Sequence, residues 1–82
     1  SYMAYSASNL KKIAGGATGI FYYDSTDAIG TIDDADYFLG ATNELKVGDI
    51  IIAVGSTGGT RTVDMLVVQT NAGTGLTTVL GT

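Results

Sequence analysis

The hydrophobic positions of this chain fall in short runs broken by clusters of Gly, Ser, Thr, Asn and Asp, the spacing of strands and turns. Residues 45–54, LKVGDIIIAV, contain the longest aliphatic run, Ile50-Ile51-Ile52. A strand over residues 50–54 is apolar on both faces and is expected to be central and covered on both sides. Ahead of it, Gly48 can take positive φ and Asp49 can accept from nearby backbone N–H groups, so a tight turn is expected there. Gly55 halts the run, and GSTGGT, residues 55–60, reads as a hairpin tip. The return strand spans residues 61–69. Val63, Met65 and Val67 share one side, while Thr62, Asp64, Leu66 and Val68 share the other and become more buried towards Val68. Residues 71–75 form a second hairpin loop before a last strand over 76–80. No Pro interrupts the three strands, so an antiparallel meander is predicted.

The first half is less regular. Ile20-Phe21-Tyr22-Tyr23 has strong β-propensity and reads as the first core strand, ended by the turn-forming residues 24–27. Residues 28–31 fit either a loop or a short edge strand. Before them, Ser8 or Asn9 can cap a short helix with Leu10, Ile13 and Ala14 on one side, ended by Gly15-Gly16. A strand remains the alternative, because a turn and a half of helix is marginal. A second short helix is predicted over residues 33–39, with Asp33 as cap, Asp36 completing a short-armed capping box, and Tyr37, Phe38 and Leu39 as its packing side. Residues 1–8 read either as a loose terminus or as an arm whose aromatics anchor on a neighbouring subunit. The fold class expected is mainly β: a small antiparallel β-sandwich or β-barrel-like single domain over residues 1–82, with one or two short helices.

Composition adds a need for partners. A chain of 82 residues buries too little surface to be very stable alone. It has no Cys and no His, which removes disulfides, thiolate metal sites and the commonest general base. Charged residues are only 15% of the chain, against about 25% in ordinary soluble domains. Homo-oligomerisation is the expected supplement. The net charge of −4 rests on eight acids against Lys11, Lys12, Lys46 and Arg61. Four scattered cations make no phosphate-tracking surface, so nucleic acid and anionic membrane are not expected partners.

Chemistry is sparse. Asp33, Asp34 and Asp36 lack the ligand spacing of a calcium loop and read as helix-capping residues. Asp24 and Asp27 bracket a turn and read as turn residues rather than as a glycosidase pair. GSTGGT leads into a strand and lacks the Lys-Ser/Thr of a phosphate loop. None of the 12 Thr and 5 Ser residues has a His to activate it. No catalytic residue, metal or cofactor is expected. Phe21, Tyr22, Tyr23 and Phe38 are core candidates, with inter-subunit packing as the runner-up. The interface candidates are Tyr2, Met3, Tyr5, Phe21, Tyr22 and Tyr37.

Five motifs occur in a telling order: AYSASNLKKIAGG, then Phe21-Tyr22-Tyr23, Ser25-Thr26-Asp27, Asp36-Tyr37-Phe38, and Leu45-Lys46-Val47-Gly48-Asp49-Ile50. From about Ala4 to Ile52 the chain resembles short structural proteins of tailed-bacteriophage virions, of the head-decoration or head-fibre kind. Such proteins often carry Trp where Phe21 stands here, and the chain after Gly55 carries no such resemblance. The resemblance implies a small non-enzymatic β domain on the phage head, made in the host cytoplasm, often trimeric and bound to the major capsid protein. The acidic balance fits a surface turned away from packaged DNA. A receptor- or glycan-binding module of a head or tail fibre is the alternative, using exposed Tyr and the loops at residues 55–60 and 71–75.

Overall fold

The computed structural model describes residues 5–80, with Leu80 described by its backbone alone. Five strands form one sheet in sequence order: β1 (Leu10–Gly15), β2 (Gly19–Asp24), β3 (Ile50–Gly55), β4 (Thr62–Asn71) and β5 (Leu76–Leu80). The domain is mainly β, as expected, and β3, β4 and β5 form the predicted antiparallel meander. The sheet is nevertheless mixed, because β2 and β3 run parallel, with Phe21 beside Ile51 and Tyr23 beside Ala53. Among the described residues there is no second sheet, and β1 and β5 remain edges. The sandwich or barrel arrangement is therefore replaced by one sheet with a single cover.

That cover follows from the parallel pair. Parallel neighbours need a connection that returns along the sheet, and residues 25–49 supply it. This crossover carries a short helix, α1 (Ile29–Ile32), and a 3₁₀ turn at Leu39–Ala41. Its Ile32, Phe38, Ala41 and Leu45 join Phe21, Tyr23, Ile51, Ala53, Leu66, Val68 and Leu76 in one buried cluster. The strand residues in that cluster lie on one side of the sheet, as the cross-strand partners Phe21–Ile51–Leu66 require.

The helix expected over residues 33–39 is corrected, and for residues 6–16 the strand alternative holds. Residues 6–16 form a 3₁₀ turn, Ala7–Asn9, followed by β1. In β1, Leu10 pairs with Tyr23, and a bulge falls between Lys12 and Ala14. A lone turn and a half of helix lacks a packing partner, whereas the ladder with β2 satisfies the backbone directly. Residues 33–38 are turns, and α1 ends at Ile32, capped by Asp33, whose N–H donates to the Ile29 carbonyl at 3.0 Å. Asp36 lies in the left-handed region at φ 65°. Its N–H donates to the Leu76 carbonyl at 2.7 Å, and its Oδ1 accepts from the Leu76 N–H at 2.8 Å. This two-point clamp on the start of β5 outweighs the local capping pattern.

The turn before β3 is as expected. Gly48 has φ 96°, and buried Asp49 accepts from the Lys46 N–H at 2.9 Å. Asp49 also accepts from the buried Gly19 N–H at 2.8 Å, which ties the turn to the start of β2. At the other end of β3, the chain passes close to Gly55. A Cβ there would meet the Asp27 carbonyl oxygen and the Ile29 nitrogen, each at 2.9 Å. Both atoms are backbone, so neither can swing aside. Gly55→Ala is expected to lower stability by about 1–3 kcal/mol, read as a lower urea midpoint at unchanged slope.

β3 is central, but the expectation that both its sides are covered is corrected. Ile51 and Ala53 are fully buried, whereas Ile50 and Ile52 are only partly so. Alternation fails at the strand's end, where Val54 and Gly55 are both buried.

Candidate interaction surface

Polar side chains converge at one place, between the end of β2 and the crossover. The Tyr37 hydroxyl donates to Asp27 Oδ2 at 2.7 Å and lies 3.0 Å from the Tyr23 hydroxyl. With the Tyr37 proton committed to Asp27, Tyr23 donates to Tyr37, and Tyr23 in turn accepts from the Ser6 N–H at 3.0 Å. Ser25 Oγ accepts from the Asp27 N–H at 3.0 Å, closing the turn after β2. The rings of Tyr5, Tyr23, Tyr37 and Phe38 pack together around this chain of hydroxyls, with centroids 5.0 to 5.9 Å apart.

This cluster ties the crossover to the end of β2. Burial, reinforced by hydrogen bonds to Tyr23 and Asp27, pushes the Tyr37 hydroxyl far above the ordinary tyrosine value of 10.0. Burial likewise raises Tyr5, helped by the negative charge of Glu44. In the unfolded chain Tyr37 and Tyr5 ionise near pH 10, whereas burial in the fold favours their protonated forms, so this contribution is complete below about pH 10 and is lost as pH rises above it. The thermal midpoint, followed by circular dichroism, is expected to fall between about pH 9 and about pH 11. Tyr37→Phe should start lower but decline less steeply.

Among the described residues, no group of three or more His, Cys, Asp or Glu side chains is placed to hold a metal ion. A pocket of about 300 Å³ lies between the amino-terminal segment and the sheet, lined by Tyr5, Leu10, Phe21, Lys12 and Glu44 among others. Lys12 and Glu44 are exposed.

The feature that stands out is the side of the sheet opposite the crossover. Register places its residues in rows across the strands. Ala14, Ile20, Ile50, Val67 and Val79 are successive cross-strand partners from β1 to β5. In the adjoining row, Tyr22 lies beside Ile52 and Ile52 beside Met65, with Lys11 at the β1 end. Beyond it, Asp24 lies beside Val54 and Val54 beside Val63. Val63, Met65 and Val79 are 64%, 40% and 45% exposed. An apolar row that runs unbroken across five strands exceeds the scattered apolar residues of an ordinary surface and makes this side the candidate interaction surface.

The aromatic interface candidates are distributed differently. Tyr22 lies in the open rows, half-buried. Phe21 is 4% exposed and belongs to the core. Tyr5 and Tyr37 pack on that core from its margin, so their rings are already engaged within the subunit. Tyr2 and Met3 lie outside the described residues. Reasoning from aromatic enrichment missed Ile20, Ile50, Ile52, Val63, Met65, Val67 and Val79. The signal was the alternation of β4, which had already grouped Val63, Met65 and Val67.

In comparisons with known proteins, the chain matches no family model, no curated protein and no solved structure.

Proposed function

We propose that the chain is a non-enzymatic structural subunit of a phage virion, a head-decoration protein whose copies associate and bind the major capsid protein. The observation that carries this reading is the open apolar side of the sheet, a surface suited to burial in an assembly. The absence of Cys and His and the structural use of the Tyr23–Tyr37–Asp27 cluster support the same direction. The resemblance over the first five-eighths of the chain supplies the setting.

The test is addition of the purified chain to phage heads that lack it, followed by sedimentation and by reconstruction of the particles. Retention at regular sites over the capsid lattice is the expected result. Heads that remain bare at saturating protein, together with a chain located only in tail structures, would overturn the decoration reading.

A further inference from the structure

We propose that the open side of the sheet is occupied by a second copy of this chain, the two sheets stacking face to face into a four-layer particle of crossover, sheet, sheet and crossover. The inference rests on the proposed structural role and names the partner of that surface. Three observations carry it.

Shape comes first. The three rows hold five, four and three strand positions, each covering about 4.8 Å by about 6.8 Å. That is roughly 390 Å² in projection and on the order of 500 Å² of accessible surface once side-chain relief is included. Two copies would together remove about 1,000 Å², the size of a weak, concentration-dependent interface. The side chains involved are mainly Ile, Val and Met, of similar reach, and such a layer is its own complement in the ~10 Å stacking of two sheets.

Charge comes second. Six of the eight acids, Asp27, Asp33, Asp34, Asp36, Glu44 and Asp49, lie in residues 25–49, the crossover on the far side of the sheet. Stacking the open sides therefore places the negative charge of the two copies at opposite ends of the particle, where repulsion is weakest. No acid stands within the row from Ala14 to Val79, and the one acid in the three rows, Asp24 beside Val54, lies at the corner of the patch.

Closure comes third. A two-fold contact uses the same patch on both copies and leaves none of it open. Three sheets about a three-fold axis would form a prism. With sheets about 24 Å wide, the axis would lie about 7 Å from each, beyond the ~5 Å that half of the stacking distance fills. The geometry of the surface thus favours two copies over the three that the resemblance suggests.

Light scattering on the eluting full chain at about 100 µM tests this. The expected mass is twice the 8.4 kDa of one chain. Met65→Glu, or Val63→Glu if the first does not fold, should halve that mass while circular dichroism remains that of the parent. Val47→Glu, at an exposed position on the crossover, should leave the mass unchanged. Nuclear Overhauser effects between methyl groups of labelled and unlabelled copies should connect Val79 and Ile50 to the other chain. A monomer, a trimer, or a dimer that survives charge at both Met65 and Val63 would overturn the proposal. The outcome is separable from head binding: a monomer that still decorates heads defeats the stacking alone, and a stacked dimer that never binds heads defeats the decoration role alone.

Discussion

Ile51→Asp is expected to leave the chain unfolded or aggregated. Ile51 is fully buried at the middle of β3, between Phe21 on β2 and Leu66 on β4. The substitution removes a large aliphatic side chain from the shared core and puts a carboxylate among aliphatic and aromatic groups, where the Tyr23 hydroxyl already donates to Tyr37. Losing the aliphatic group alone costs about 2–5 kcal/mol. Burying the polar group unpaired adds on the order of 2 kcal/mol or more. A domain of this size has roughly 4–12 kcal/mol of total stability, so the folded state should be largely lost. Far-ultraviolet circular dichroism and the dispersion of amide resonances would record it. A soluble variant with the parent's spectrum would mean that Ile51 is not a core residue. Ile52→Asp provides the contrast: one position along, on the open side, it should fold as a subunit while disturbing association.

The second large effect is expected at Asp49. Its carboxylate is buried and faces two backbone donors, Gly19 N–H at 2.8 Å and Lys46 N–H at 2.9 Å. Asp49→Ala leaves both without an acceptor. Each stranded donor costs about 1–3 kcal/mol, and the Lys46 group, being partly exposed, lies at the lower end. A loss of about 2–4 kcal/mol in urea unfolding is expected, with the slope unchanged. Asp49→Asn keeps one accepting oxygen but turns an amide towards the other donor, so it should fall between parent and Ala. A value for Asp49→Ala within about 0.5 kcal/mol of the parent, the range of ordinary surface substitutions, would show that the carboxylate does not fix the turn.

These two residues also mark how well the chain could be read. The run at residues 50–54, the turn at Gly48-Asp49 and the hairpins around residues 55–60 and 71–75 depend on neighbours in sequence. Alternation and turn chemistry therefore revealed them. The growing burial along β4 was legible for the same reason, since Leu66 and Val68 follow Thr62 and Asp64 on one side. Even so, only half of what Asp49 does was visible: its bond to Lys46 is local, whereas its bond to Gly19 crosses thirty positions.

Where distant segments compete, local signals misled. Leu10, Ile13 and Ala14 fit a helix until β2 offers β1 a full ladder. Asp33 and Asp36 fit a helix start until Leu76 arrives from the far end of the chain and takes both the N–H and the carboxylate of Asp36. The parallel pairing of β2 with β3 is likewise absent from the pattern, because periodicity does not state which strands meet.

The sequence by itself therefore determined a small, mainly β domain of low charge, without Cys or His, built round the strand after Gly48-Asp49. It also determined which residues of each strand share a side, because side chains alternate with a period of two. Only the tertiary structure decided which side is covered. A single crossover, residues 25–49, lies over Ile51 and Ala53, whereas Ile50 and Ile52 on the other side stay partly exposed. Parity groups residues on a face, but the path of the connection decides whether that face becomes a core or a surface for another molecule.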